Sequence, residues 1–286
     1  MRIGFIGLGA MGRHMAANLQ KSGHALQSYD LNGKGTCKSA LEAVRGAEIL
    51  FTSLPGPAEV ESLSREIDEV PAWFDLSTNS PACVRRIFST RKSFLDAPVS
   101  GGPHGAETGR LAIWIGGDEV LFQKHLPVLK AIGDQPYYVG PIGAGTVAKL
   151  AHNLASFSVQ AALAEVFTLG VKGGVEPIAL FKALRQGATG RKRTFDRLPE
   201  HFLAGKYDPA AFTLRLAHKD MSLALELARE VGVPMKIGEI SLGELDEAMQ
   251  RGWSERDCRV AMTLQEERAG VSVKVPEAAL RDAVKD

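Results

Sequence analysis

Cysteine is scarce in this chain. The three in 286 residues, Cys37, Cys83 and Cys258, are odd in number and far apart. That excludes a disulfide framework and any cysteine-based metal spacing, and it fits reduced thiols in a cytoplasmic protein. An excess of either charge is also missing. The 34 basic and 33 acidic residues leave a net charge of +1, so no global basic field favours nucleic acid or an anionic membrane. Long hydrophobic runs are absent too. The longest uncharged stretch, Leu150–Ala164, is 15 residues and contains His152, Asn153 and Gln160, short of the roughly 20 apolar residues that span a bilayer. The apolar N-terminus is broken by glycines and Arg13 and reads as a strand and turn, not a secretion signal. Neither an internal repeat nor a low-complexity block is found.

What is present suffices for a globular protein. Hydrophobic residues make up 45% and charged residues 23% of the chain, and the length suits two domains. Up to about residue 145 the texture alternates. Strands are predicted at Arg2–Ile6, Ala25–Tyr29, Ile49–Leu54, Ala72–Leu76, Phe94–Asp96, Leu111–Ile115 and Tyr137–Val139, with helices at Met11–Ser22 and Glu119–Ile132. Strand–helix alternation predicts a doubly wound parallel sheet, a Rossmann-type α/β domain over residues 1–145. From residue 146 the pattern is helical: one long linking helix to about 172, then Pro177–Gln186, Thr194–Ala204, Leu216–Val231, Lys236–Arg251 and Glu255–Ala269. Residues 146–286 therefore read as an all-α domain, with a tail after Val271 that is loosely held.

Five motifs carry candidate chemistry. GLGAMG, residues 7–12, sits between a strand and a helix. Gly7 permits a tight turn, Gly9 lets backbone approach a pyrophosphate, and Gly12 lets the helix pack on the strand. Asp30, at the end of the second strand, can accept hydrogen bonds from a ribose diol and repel a 2′-phosphate, which favours NAD over NADP; the bland alternative is a solvated aspartate. DLSTNSP, 75–81, places Ser77, Thr78 and Asn79 at a strand end, where open α/β sheets bind ligands, though a hydroxyl-rich helix cap would read the same. DAPVSGG, 96–102, offers a hydroxyl and bare backbone N–H groups at Ser100, Gly101 and Gly102, either an anion nest or a plain glycine turn. In GAGTVAKLAHN, 143–153, Lys149 and Asn153 are one helical turn apart and share a face. A lysine there is costly to bury unless it meets something negative or reactive, which makes it a candidate acid/base; on an open helix it would be a surface charge. His218-Lys219-Asp220 opens a late helix, and by itself reads as a solvated cluster. Arg185, Arg191, Lys192, Arg193 and Arg197 form a basic run whose default reading is a solvated face.

In this order and spacing, the five motifs resemble the β-hydroxyacid dehydrogenase family over roughly residues 1–270. That family includes 3-hydroxyisobutyrate dehydrogenase and tartronate semialdehyde reductase, with 6-phosphogluconate dehydrogenase more distant. The resemblance implies a Rossmann-type domain, a long interdomain helix and an all-helical domain that builds homodimers or homotetramers. It implies that Gly7, Leu8, Gly9, Ala10, Met11, Gly12 and Asp30 hold the dinucleotide. Leu54, Pro55 and Thr78 would line its nicotinamide side. Ser100, Gly101 and Gly102 would hold the substrate carboxylate, Asn153 would position substrate, and Lys149 would be the catalytic lysine. Lys219 would reach cofactor or substrate with Asp220 beside it. Hydride then passes to NAD from a small 3-hydroxy acid as the hydroxyl loses its proton to neutral Lys149, with the reverse for a semialdehyde. No metal is called for.

Two departures narrow this. KLAHN, 149–153, is close to the KMVHN of phosphogluconate dehydrogenases, but Ser156 stands where those enzymes carry a second acid, a Glu. Dehydrogenation without decarboxylation follows. TGRKRT, 189–194, matches a substrate-facing SGRCWS of the 3-hydroxyisobutyrate enzyme and replaces its Trp with Arg193, which predicts a more polar or anionic substrate. The alternatives are an NADPH-using reductase of tartronate, succinic or glyoxylate semialdehyde, an imine reductase, and a non-catalytic dinucleotide sensor or scaffold. Imine reductases generally lack the lysine that is present here, and some non-catalytic relatives lack it too.

Overall fold

The computed structural model describes residues 1–196 and 198–283. The chain divides into two compact units, Met1–Ser156 and Phe157–Asp286. The first holds β1 (Arg2–Ile6), β2 (Ala25–Tyr29), β3 (Ile49–Thr52), β4 (Trp73–Asp75), β5 (Phe94–Asp96), β6 (Val99–Ser100), β7 (Ala112–Gly116) and β8 (Gln135–Gly140). Among them run α1 (Gly12–Lys21), α2 (Ala40–Val44), α3 (Pro57–Glu66), α4 (Pro81–Thr90), α5 (Gly102–Thr108) and α6 (Glu119–Leu129), and α7 (Ala144–Lys172) starts here.

The strands form one sheet in the order β2-β1-β3-β4-β5-β7-β6, with β8 on β7. β1 to β5 are parallel, as a Rossmann-type domain requires. Beyond β5 the sheet is mixed: β7 runs antiparallel to β5 and β6 and parallel to β8. The short β6 and helix α5 were not anticipated; Ser-Gly-Gly-Pro reads as a breaker, yet Pro103 suits a first helical turn. Side chains alternate across the sheet. Ile3, Phe5, Ile49, Phe51 and Phe74 fill the core on one face, and Ile6, Leu50, Trp73, Val60 and Val84 on the other. Strands buried on both faces need continuous apolar runs, and β1 and β3 have them.

From β1 the chain goes to β2 on one side and to β3 on the other. This topological switch opens a crevice at the carboxyl ends of β1 and β3.

The second unit is helical: the rest of α7, then α8 (Pro177–Gln186), α9 (Leu214–Val231), α10 (Lys236–Gln250), α11 (Thr263–Ala269) and α12 (Glu277–Ala283), with a 3₁₀ turn at Cys258–Met262. Tyr207, Leu214, Ala248, Val260, Ala261 and Leu264 form its core. The Glu165 carboxylate accepts from the Ile237 and Gly238 amides at 2.9–3.1 Å and so caps α10 from α7. Two expectations are corrected. The described residues of 194–204 form turns rather than a helix, because the Asp196 carboxylate takes the Arg193 N–H at 2.9 Å and Pro199 interrupts. The tail is tied down: Val275 N donates to Leu203 O at 2.9 Å and Val273 N to Glu266 Oε1 at 2.6 Å. Its last three residues, like Arg197, lie outside the described residues. By length and composition α7, with 29 residues and an 18-residue stretch of mean hydropathy 1.5, could cross a membrane.

Candidate functional site

The crevice between β1 and β3 is a cavity of about 610 Å³. Gly7 turns the chain with φ +96°, and a Cβ on it would stand 2.3 Å from the Ser53 carbonyl oxygen. A Cβ on Gly12 would stand 1.9 Å from the Gly7 carbonyl oxygen, so both positions exclude any side chain. Gly9 is different: nothing lies within 4 Å of its missing Cβ. That open space beside the uncapped N-terminus of α1 fits a pyrophosphate. Gly7, Gly9, Ala10, Met11, Gly12, Asp30, Leu54 and Pro55 all line the cavity. Leu8 does not; its side chain is buried in the core, while its N–H donates to Asp30 Oδ2 at 2.7 Å. Asp30 Oδ1 accepts from Asn32 N at 2.9 Å. The Asn32 and Leu8 amides hold the Asp30 carboxyl below its usual range, so it is an anion at the cavity wall.

A second cavity of about 320 Å³ is lined by Leu76, Ser77, Thr78, Val99, Ser100, Gly101, Gly102 and Lys149, and shares Met11, Ser53, Leu54 and Pro55 with the first. The two adjoin through these shared residues. Sequence motifs drawn from four strand ends and the start of α7 thus meet in one place.

Two buried carboxylates hold this place together, and neither was singled out from the sequence. Asp75, at the end of β4, accepts from Thr52 Oγ1 at 2.8 Å, Ser77 N at 3.2 Å and Asn79 Nδ2 at 3.1 Å, and Trp73 Nε1 donates to Thr52 Oγ1 at 2.9 Å. Leu54 N donates to Ser77 Oγ at 2.9 Å. The Ser53–Pro55 and Ser77–Thr78 loops are therefore fixed to one another. Burial pushes the Asp75 carboxyl up against the pull of its donors. Asp96, at the end of β5, accepts from Gly143 N at 2.7 Å and Thr146 N at 2.6 Å. It pins the first turn of α7 to the strand that leads into Ser100. Lys149 follows Thr146 by one turn. Half-buried, it forms no ion pair among the described residues, and burial lowers its pKa.

Asn153 lies one turn further along the same face of α7. Its Oδ1 is 3.3 Å from His152 Nδ1, and it does not line the cavity. Lys219 and Asp220 lie on α9 in the second unit, exposed and paired with each other at 2.9 Å. His218, beside them, meets Asp246 Oδ1 at 2.6 Å. Arg193 is exposed in a turn, its Nε 3.3 Å from Asp196 Oδ1.

The parallel sheet, its switch-point crevice and the glycine turn define a dinucleotide-dependent oxidoreductase. Comparison with known proteins agrees. The family model of the NAD binding domain of 6-phosphogluconate dehydrogenase matches residues 2–140, and that of the NAD-binding of NADP-dependent 3-hydroxyisobutyrate dehydrogenase matches residues 143–264. The chain is 33% identical to 2-(hydroxymethyl)glutarate dehydrogenase of Eubacterium barkeri, over 96% of this chain and 97% of that one. It is 32% identical to the NAD-dependent L-serine dehydrogenase of Pseudomonas aeruginosa, over 92% and 97%. Among solved structures, 3-hydroxyisobutyrate dehydrogenase of Mycobacterium tuberculosis with L-serine superposes with a TM-score of 0.62 at 28% identity, over 92% and 98%. The chain belongs to the β-hydroxyacid dehydrogenase family. It is an NAD(P)-dependent dehydrogenase acting on CH–OH groups, like 3-hydroxyisobutyrate dehydrogenase.

Proposed function

We propose that this enzyme uses NAD to interconvert a small 3-hydroxy acid and its semialdehyde, with Lys149 as general acid/base and without decarboxylation. The observation that carries the reading is Lys149 itself: a half-buried amine with no ion pair among the described residues, lining one cavity with Ser100, Gly101, Gly102 and Thr78. When bound, nicotinamide supplies the hydride acceptor. The chain's residues supply the rest. The Ser100–Gly102 segment orients the substrate carboxylate, Asn153 and the Lys219–Asp220 pair assist in holding substrate or cofactor, and neutral Lys149 takes the hydroxyl proton. Ser156, in place of a second acid, supports dehydrogenation without decarboxylation. Asp30 favours NAD over NADP. We assign residues 1–145 to cofactor binding and 146–286 to the helical domain.

The two curated relatives are named for substrates that share one pattern, a hydroxymethyl group beside a carbon bearing carboxylate. We take that as the substrate class here, with Arg193 facing a second acidic group. The test is a panel of 3-hydroxyisobutyrate, L-serine and 2-(hydroxymethyl)glutarate with NAD and NADP. Lys149→Ala should lower kcat by about 10²–10⁴-fold on every substrate that the wild type oxidises; undiminished activity would refute the assignment. Arg193→Ala should weaken only the diacid.

The same reading makes the protein a soluble, cytoplasmic homo-oligomer. Although α7 is long and apolar, the Glu165 carboxylate on it is engaged with backbone of α10, which supports that reading.

A further inference from the structure

The wall of the larger cavity is more acidic than Asp30 alone makes it. Glu59, Ser62, Leu63 and Glu66 recur at the i, i+3, i+4, i+7 spacing that defines one face of α3, and all four line the cavity. With Asp30 they bring three carboxylates to its lining, which contains no Lys or Arg. Arg65 of α3 and Arg86 of α4 are engaged elsewhere. Glu61, on another face of α3, draws Arg65 to 3.2 Å and Arg86 to 3.1 Å. Among the described residues Glu59 and Glu66 form no ion pair. Both are exposed, so each is a solvated anion with its charge uncompensated. The base that acts on Asp30, Lys34, is outside the lining.

Asp30, meanwhile, has a structural duty. Each of its oxygens already accepts a backbone amide, one from the glycine turn and one from its own turn. A carboxylate so engaged still repels an anion, but it has less capacity left to reward a ribose diol. Rejection of a charged group at this end then depends on the summed field of the wall.

We propose that Glu59 and Glu66 are specificity-determining residues: with Asp30 they make the adenosine end of the cofactor cavity repel a 2′-phosphate, so that preference for NAD is shared between the end of β2 and one face of α3. This rests on the NAD reading above. A phosphate dianion brought near an exposed carboxylate is disfavoured by about three- to tenfold per charge at low salt, and by less as salt screens it.

The test is fluorescence titration of the full-length protein with NADH and NADPH. Wild type, Glu59→Gln, Glu66→Gln, the double variant and a Glu61→Gln control are compared at low ionic strength and in about 0.5 M salt. The ratio Kd(NADPH)/Kd(NADH) should fall about tenfold in the double variant through tighter NADPH binding, with NADH affinity held within threefold. The wild-type ratio should shrink in salt, and Glu61→Gln should leave it unchanged. A ratio that stays within twofold in the double variant, in an enzyme that prefers NADH, overturns the role of α3 and leaves Asp30 as the determinant. Equal loss of both nucleotides overturns it as well, since that marks a structural effect. A wild type that binds NADPH more tightly than NADH overturns the NAD reading itself, and this inference with it.

Discussion

The role proposed for Lys149 depends on what does not surround it. A carboxylate within a few ångströms would stabilise the ammonium and raise the pKa, and among the described residues no acid pairs with Lys149. Burial is then the dominant influence, and it favours the neutral amine. The sign of the pH dependence follows. In the proposed role oxidation uses the free amine, so kcat should rise with pH through a value below the ordinary lysine pKa of about 10.4. Reduction needs the ammonium, so kcat should fall through that same value. Steady-state profiles in both directions check this, and Lys149→Arg should abolish both limbs. A limb that survives that substitution would assign the titration to another group. Lys149 was legible as a candidate because a lysine at the start of an apolar helix is conspicuous in a string of residues. Asp75 and Asp96 were not legible. Each is a common residue at a strand end, and only the fold reveals that it is fully buried and ringed by donors.

Elements succeed or fail here by the locality of their signals. The glycine turn was readable because its three constraints act over six residues, and the structure meets each of them: the close approach to Ser53, the open space at Gly9, and the helix pressed onto Gly7. Residues 194–204 misled because helical periodicity says nothing about a side chain that captures a backbone N–H, as Asp196 does. Helix α10 shows the long-range counterpart. Its N-cap, Met235, offers no side-chain acceptor, so the acceptor comes from Glu165, 72 residues away in sequence. A carboxylate on two orphan amides at the positive end of a helix is worth about 1–2 kcal/mol. Glu165→Ala should therefore destabilise the helical unit by about that amount in urea unfolding, and Glu165→Gln, which keeps one acceptor, by less. Equal midpoints for wild type and Glu165→Ala would show that water satisfies those amides equally well.

At the scale of the whole molecule, α7 presents an inconsistency within a single chain. A predominantly apolar helix is expected to bury its apolar side chains, yet Leu154 is 70% and Phe157 65% exposed, and Leu163, Val166 and Val171 are exposed as well. Helix α8 continues the pattern with Ile178, Phe181 and Leu184. Exposed apolar side chains clustered in this way mark an interaction surface. A second copy of the chain is the cover that requires no other component, and a closed two-fold pairing would bury the same face of both copies. Light scattering should then report a dimer or a multiple of one for the wild type. Leu154→Glu with Phe157→Glu should shift it to monomer, because two charges per chain cannot be desolvated at the centre of such an interface. The glycine turn lies on other elements, so NADH affinity should change little in that variant. A wild type that is monomeric at micromolar concentration, with this face open to water, would remove the homo-oligomer from the reading while leaving the chemistry at Lys149 to its own test.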